Sequence, residues 1–261
     1  MKKQNNKQRI LLICASFIMA LTIATPLSAK QFTALVFTKT AGWQHDSIPA
    51  AVSAVNYLSQ LHDFSAVHTS DANAFTSENL DQFDVVVFLL TTGDVLNEQQ
   101  QSDFQKFIHS GKGYVGVHSA ADTEYGWPWY QGLVGRNFVT HPAVQSAKVN
   151  VLDPGFPGSE HMPSRFLWTE EYYNYGPEHS DSLNYLLSVD ESTYQPQAEW
   201  DEVKSSGMGD FHPLAWYQEY DGGRAFYTGF GHLSTSYTNP MFLSHLYGGI
   251  YWAATGKGIE Q

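Results

Sequence analysis

The chain has 261 residues, 43% of them hydrophobic and 15% aromatic, and its formal net charge is −12. This length and apolar content suffice for one large globular core. With only 14 Lys and Arg residues, the chain lacks the basic surface that a phosphate backbone requires, so its composition argues against a nucleic-acid partner.

The first 29 residues have the pattern of a signal peptide. Basic residues at positions 2, 3, 7 and 9 precede an apolar run at 10–25, which is short for a membrane span, and Ser28-Ala29 supplies small residues before a predicted cut after Ala29. We therefore predict export to a periplasm, with no membrane contact after cleavage; the alternative is an uncleaved anchor. The single cysteine, Cys14, lies in this segment, so the mature chain would have no thiol nucleophile and no cysteine metal site.

Strand and helix patterns alternate through the first half of the chain. Apolar runs predict strands at 32–37, 64–69, 84–90 and 114–117, and apolar periodicity predicts helices at 49–61 and 97–110. Ser47 is the predicted cap of the first helix, and Asn97 with Gln100 forms a predicted capping box on the second. The alternation predicts an α/β fold with a doubly wound, mostly parallel sheet.

The second half is less regular. Strands are predicted at about 147–152 and 183–189, a closing helix at 240–254, and an extra hairpin at 214–229 that turns at Asp221-Gly222-Gly223. Because no linker and no repeat interrupt the pattern, we predict a single domain over residues 30–261, with irregular insertions in this half.

Ionisable side chains recur just after the predicted strands. His45 follows the first strand, His118, Asp122 and Glu124 follow the fourth, and His232 follows the hairpin. Because the carboxyl ends of parallel strands share one edge of a sheet, these residues are expected around one cleft. Taken singly, each is more often an ordinary surface residue, and the alternative for His118 is that it only caps a helix.

Two kinds of chemistry suit these residues. Histidines and carboxylates serve as general acids and bases, and this includes the outlying His141-Pro142, Glu170-Glu171 and His212-Pro213. His45, His118, Asp122 and His232 also offer the nitrogen and oxygen ligands that Zn, Mn or Ni accept. No paired-histidine spacing supports a metal, so the sequence leaves open whether any divalent metal is bound.

Long segments of the chain resemble a known family. They read FTKTAGWQHDSI (37–48), VVFLLTTGDVL (86–96), GYVGVHSAADTEYGWPWYQGLVG (113–135), HPAVQSA (141–147), EEYYNY (170–175), HPLAWYQEYDGGRAFYTGFGH (212–232) and GGIYWA (248–253). In these segments the chain is similar to the ThuA-like family, named for trehalose utilisation. The resemblance implies a flavodoxin-like fold of the class I glutamine amidotransferase type and a role in disaccharide or keto-sugar catabolism.

The resemblance also implies that glutaminase activity is absent. The related amidotransferases carry a nucleophilic cysteine at the turn where this chain has His118, and a His-x-Glu where this chain reads His232-Leu233-Ser234. An imidazole in place of the cysteine cannot form the thioester on which that reaction depends.

The expected partner is a small saccharide or keto-sugar, and this expectation assigns a catalytic or substrate-binding role to each candidate residue. His118 and His232 are the predicted acid–base pair, and Asp122 or Glu124 the orienting carboxylate. The predicted substrate-binding residues are His45, Trp127, Trp129, Tyr130, Glu171, Tyr173, His212 and Arg224. His45, His118, Asp122, Glu171 and His212 are expected to line one pocket near His232.

Several alternatives stay open from the sequence. The chain could be a hydrolase, a lyase or an isomerase, or a non-catalytic carbohydrate-binding or scaffold module with a degenerate amidotransferase site. Arg224 could simply pair with Glu219. The substrate, the reaction and the oligomeric state are not determined by the sequence.

Overall fold

The computed structural model describes residues 30–200 and 202–259, and the predicted signal peptide lies outside them. The predicted alternation in the first half is confirmed. Its elements are β1 (Thr33–Phe37), α1 (Ile48–Leu61), β2 (Ser65–Thr69), α2 (Ser77–Leu80), β3 (Val85–Leu89), α3 (Glu98–His109) and β4 (Gly113–Val117).

The second half contains more strands than the sequence predicted. Its elements are α4 (Pro128–Val134), β5 (Phe138–Thr140), β6 (Gln145–Val151), β7 (Arg165–Glu170), β8 (Asn174–Tyr175), β9 (Asn184–Asp190), β10 (Ala198–Trp200), β11 (Val203–Ser205), β12 (His212–Tyr220), β13 (Gly223–Thr228) and α5 (Pro240–Thr255). The strands near 147–152 and 183–189, the hairpin β12–β13 and the closing helix are confirmed. Strands β5, β7, β8, β10 and β11 were not anticipated.

Both predicted cap residues stand directly before their helices, but only one of them makes the side-chain hydrogen bonds of a cap. Asn97 and Gln100 make both hydrogen bonds of a capping box at the start of α3. The side chain of Ser47 makes no cap hydrogen bond to α1. Its hydroxyl instead donates to the carbonyl of Gly231, 3.1 Å away, and so ties the start of α1 to a distant loop.

The large sheet has a parallel half and an antiparallel half. Its nine strands run in the order β2-β1-β3-β4-β13-β12-β9-β6-β7. The first five strands are parallel to one another, and every pairing from β13–β12 onward is antiparallel. β13 is parallel to β4, and four antiparallel pairings separate β13 from β7, so β7 runs in the same direction as β4. The chain that follows β7 therefore emerges at the same sheet edge as the chain that follows β4.

Helices cover both faces of the parallel half. Alternate residues of β1 separate onto two apolar clusters: Ala34 and Val36 face one, and Leu35 and Phe37 face the other. Helices α1 and α5 contribute to the first cluster, and α3 and α4 to the second. The central strands are accordingly buried along their whole length, as their continuous apolar runs predicted. Within residues 30–200 and 202–259, no helix is long and apolar enough to cross a membrane.

Candidate functional site

Four side chains converge at the carboxyl edge of the parallel strands. His45, His118, Glu171 and His232 each offer one nitrogen or oxygen ligand atom, and these four atoms all lie within 4.8 Å of one another. Glu171 is central to them, because its Oε2 is 3.4 Å from His118 Nε2 and 3.1 Å from His232 Nδ1. Three of the four residues are buried, and His232 is partly exposed.

Strand ends explain how distant residues meet here. His118 directly follows β4, and Glu171 directly follows β7, which runs in the same direction. His45 lies in the loop after β1, and His232 in the loop after β13. The backbone of His118 has a φ of +50°, a left-handed conformation that a residue other than glycine rarely adopts. This sharp turn follows a fully buried strand and starts a short 3₁₀ segment at His118–Asp122.

The hydrogen bonds of His118 leave one ring nitrogen without a partner. Nδ1 is 3.0 Å from the carbonyl oxygen of Gly229, which can only accept, so Nδ1 carries the proton and donates it. Nε2 then holds a lone pair, and among the described residues it has no hydrogen-bond partner although it is buried. His232 Nδ1 is likewise buried and without a partner there. An unprotonated ring nitrogen and a carboxylate oxygen repel each other at 3.1–3.4 Å, so each of these contacts is favourable only with a proton or a metal cation between the two atoms.

The charges of the cluster depend on one another. Burial alone would raise the pKa of Glu171, but contacts with His118 and His232 hold that pKa well below its usual range. Burial, together with the neighbouring His118 and His232, lowers the pKa of His45 to about 3. For His232, burial acts to lower the pKa, but the interaction with Glu171 outweighs it and raises the pKa. Near neutral pH the cluster therefore contains an ionised Glu171 and a neutral His45.

A second glutamate, Glu170, supports the site from behind. Its side chain is fully buried, and its Oε1 accepts hydrogen bonds from the backbone N–H groups of Glu171 and His232, at 3.0 and 3.2 Å. Its Oε2 accepts from the N–H of Gly231 at 2.9 Å. Burial raises the pKa of Glu170, whereas His118 and these N–H donors act in the opposite direction. Glu170 thus joins the end of β7 to the loop that carries His232.

A fourth imidazole, His141, contacts the cluster from outside. Its Nε2 lies 3.2 Å from Glu171 Oε1, the carboxylate oxygen that faces away from His118 and His232. Its Nδ1 is 2.8 Å from the carbonyl of Pro142, so Nδ1 carries the proton. Burial lowers the pKa of His141. Its side chain is 22% exposed whereas that of His118 is fully enclosed, so His141 is the more accessible to an incoming molecule.

Tyr173, His212 and Asp122 lie near the cluster but are not part of it. The ring of Tyr173 is 4.2 Å from that of His118. His212 is buried behind Tyr173. Its Nε2 donates to the Tyr173 carbonyl at 2.9 Å, and its Nδ1 lies 2.7 Å from Glu191 Oε1. Asp122 accepts from the hydroxyl of Tyr125 and is not among the converging ligand atoms. The predicted set of metal ligands is corrected accordingly, because Glu171 and not Asp122 supplies the carboxylate. His212 does not reach the cluster and contacts the backbone of Tyr173, whose ring packs on His118.

Glu124 and Tyr130 are structural, which corrects their predicted roles. The carboxylate of Glu124 is buried and accepts from the backbone N–H groups of Val95 and Leu96 and from the Gln101 side chain, so it holds the loop before α3. Tyr130 is fully buried, and its hydroxyl is hydrogen-bonded to Tyr114 and to a backbone carbonyl. Neither side chain is free to contact a substrate.

Trp127, Trp129 and Arg224 also lie away from the cluster. The indole N–H of Trp129 donates to Asp221 in the β12–β13 turn, and Trp127 stacks on Trp129 with ring centres 4.9 Å apart. Arg224 is the second residue of β13, where it is aligned with Gly113 at the start of β4, and its guanidinium donates to carbonyls in the last turn of α5. These positions are at the amino edge of the parallel strands, opposite His118, so the predicted substrate contacts are wrong for this site.

Comparison with known proteins identifies the family. The family model ThuA, described as trehalose utilisation, matches residues 33–253. The chain belongs to the ThuA family. No curated protein matches it.

Solved structures of ThuA-like proteins have the same fold. One from Bacteroides uniformis is 20% identical with a TM-score of 0.72, and the match covers 88% of this chain and 94% of that one. Another, from Parabacteroides merdae, is 19% identical with a TM-score of 0.71, and the match covers 89% and 93% of the two chains. At these identities the likeness concerns the fold, and the site must be interpreted from its own geometry.

Proposed function

We propose that this ThuA-family protein binds a divalent cation between His45, His118, Glu171 and His232 and acts on a keto-sugar. The observation that carries the proposal is the pair of partnerless buried nitrogens, His118 Nε2 and His232 Nδ1, directed at the ionised carboxylate of Glu171. Buried polar atoms rarely lack partners in folded proteins, and a cation satisfies both nitrogens and the carboxylate together. The family's description as trehalose utilisation supports a carbohydrate substrate.

The donor set fits a transition metal. Three imidazoles and one carboxylate are ligands that Zn, Mn and Ni all accept. The carbonyl of Gly229 fixes the tautomer of His118, which is the outer hydrogen bond that metal-binding histidines usually make. Glu170 holds the backbone on both sides of the site in the same way.

His141 is the best-placed proton carrier. A bound cation would stabilise negative charge on a sugar oxygen. His118 and His232, the acid–base pair predicted from the sequence, are then occupied as ligands, whereas His141 remains outside the group. With the proton on Nδ1, Nε2 is the basic nitrogen that would take a proton from the carbon beside a carbonyl, and Glu171 Oε1, 3.2 Å from that nitrogen, would stabilise the resulting imidazolium.

Elemental analysis tests the metal site. Purified protein equilibrated with Zn²⁺, Mn²⁺ or Ni²⁺ and then desalted is expected to retain one ion per chain. His118→Gln and Glu171→Gln are each expected to lose it, whereas the control His109→Gln, which alters an exposed imidazole paired with Asp221, retains it. Retention of the ion by both site variants would contradict the proposal.

Deuterium uptake tests the proton transfer. In D₂O, the metal-loaded protein is expected to exchange the hydrogen beside the carbonyl of a keto-disaccharide, which nuclear magnetic resonance detects even without net product. His141→Gln should abolish the exchange while retaining metal. If wild-type protein binds the sugar but exchanges no hydrogen, the second candidate function, a non-catalytic carbohydrate-binding module, replaces the first.

Two further parts of the proposal concern the amidotransferase-like fold and the site of action. With His118 at the position where a nucleophilic cysteine would be needed, we expect no release of ammonia from glutamine. We also propose that the protein acts in a periplasm after removal of residues 1–29. Mass spectrometry of the exported protein should find Lys30 as the first residue, and a retained leader would contradict this.

A further inference from the structure

An aromatic wall stands beside the proposed cation site. The ring of His141 is 4.5 Å from that of Trp200 and nearly perpendicular to it. Phe138 connects the two sides of the wall, since its ring lies 5.7 Å from Trp200 and 4.3 Å from Tyr173. Tyr173 in turn packs on His118. The wall therefore extends from the enclosed centre of the site outward to Trp200.

Trp200 is the exposed end of this wall. It is the last residue of β10, which pairs with β11 in a small two-stranded sheet separate from the large one. Its surface is 42% exposed, although its ring contacts His141, whose own side chain is 22% exposed. A large aromatic side chain left accessible beside a cluster of ionised and imidazole groups offers apolar contact area next to directed hydrogen-bonding groups. Ligand sites for amphipathic molecules combine these two features.

We propose that Trp200 is the stacking platform for a pyranose ring whose hydroxyl edge faces Glu171 and His141. This rests on the proposed function, and it names the part of the substrate that the site holds. A hexopyranose with mostly equatorial hydroxyls has an apolar C–H face and a polar rim. The indole ring of Trp200 stacks on the C–H face of the sugar, and the polar groups around Glu171 form hydrogen bonds with its hydroxyl groups. A furanose or an open-chain polyol has no comparable flat C–H face. Trp200 thus performs the role that the sequence suggested for Trp127 and Trp129.

Calorimetric binding of α,α-trehalose to the metal-loaded full chain tests the platform. Trp200→Ala is expected to weaken binding about tenfold or more, as truncation of a central aromatic contact does. Trp200→Phe should recover most of the affinity. Phe211→Ala, which removes an aromatic residue of the same 42% exposure that packs on Tyr185, is the matched control and should bind like the wild type. Methyl β-D-fructofuranoside and mannitol should bind at least tenfold more weakly than trehalose.

The possible outcomes separate this inference from the function on which it rests. If the wild type retains metal and binds trehalose, but Trp200→Ala binds equally well, the platform is overturned and the cation site stands. If trehalose and mannitol bind alike, the pyranose specificity is overturned. If the wild type retains metal but binds none of the three sugars, the platform is overturned. Loss of metal from Trp200→Ala would assign the residue to the integrity of the site instead.

Discussion

Replacing Glu170 with Gln tests whether its buried carboxylate holds the site together. In the wild type, Oε1 accepts from the N–H groups of Glu171 and His232, and Oε2 accepts from that of Gly231. The amide oxygen of Gln can keep the first two hydrogen bonds. Its NH₂ group, however, then faces the N–H of Gly231, so one buried donor loses its acceptor.

The expected loss is large enough to measure. A hydrogen bond to a charged group contributes about 1.5–3 kcal/mol, so Glu170→Gln should lower the free energy of unfolding by about 2 kcal/mol. Glu170→Ala would leave three N–H groups without partners, at about 1–3 kcal/mol each. The total approaches the whole stability of an ordinary domain, about 5–15 kcal/mol, so the Gln variant is the informative one.

Two measurements and one control variant distinguish an effect of Glu170→Gln on the positions of the metal ligands from an effect on the stability of the whole fold. Urea denaturation with chelator present gives the free energy of unfolding, and titration with metal gives the affinity, which should fall about 10–100-fold in Glu170→Gln. Glu124→Gln is the matched control. Glu124 is also a buried glutamate that accepts backbone N–H groups, but it lies away from the cluster. Because the amide of Gln101 can rotate to accept, this variant should lose less stability and keep its metal affinity.

Two results would refute the reasoning. If Glu170→Gln unfolds within about 0.5 kcal/mol of the wild type, the carboxyl group is already protonated in the native state, and the ionic hydrogen bonds inferred here are absent. If stability falls but metal affinity is unchanged, Glu170 supports the fold without positioning the ligands. An equal loss of metal affinity in Glu124→Gln would show that the assay reports stability alone.

Three further predictions follow from other parts of the fold. Burial lowers the pKa of His245 to about 3. The unfolded chain therefore binds a proton below pH 6.5 that the folded chain does not, and the free energy of unfolding should fall by about 2 kcal/mol between pH 7 and pH 5. Urea denaturation of His245→Leu should show a smaller fall, and an identical slope would contradict the assignment. Gly113→Ala would place a Cβ 2.2 Å from the carbonyl oxygen of Ala253, so it should destabilise the protein by about 1–3 kcal/mol; an unchanged melting temperature would argue against this packing. Arg224→Met, at the opposite sheet edge, should leave metal and trehalose binding unchanged in calorimetry, and loss of either would contradict the placement of the site.

The parallel half of the fold was predictable because its signals are local. Continuous apolar runs indicate strands buried on both faces, and the capping box at Asn97 lies within four residues. The strand-end rule then placed His45, His118 and His232 at one edge, since parallel strands all end there. The leader pattern also predicts that Cys14 is removed by cleavage after Ala29, and a chain cleaved there would have no thiol to act as a nucleophile.

The tertiary structure alone decided which other groups complete the site. Glu170 and Glu171 are adjacent in the sequence, and only the direction of β7 and the pairing of the antiparallel half place one behind the site and the other at its centre. The same holds for Trp129 and Trp200. Local pattern favours the tryptophans that follow His118 closely, yet α4 turns them toward the far edge, while the β10–β11 sheet brings Trp200 to His141. Strand order and direction depend on pairings between distant segments, and local periodicity contains no information about them.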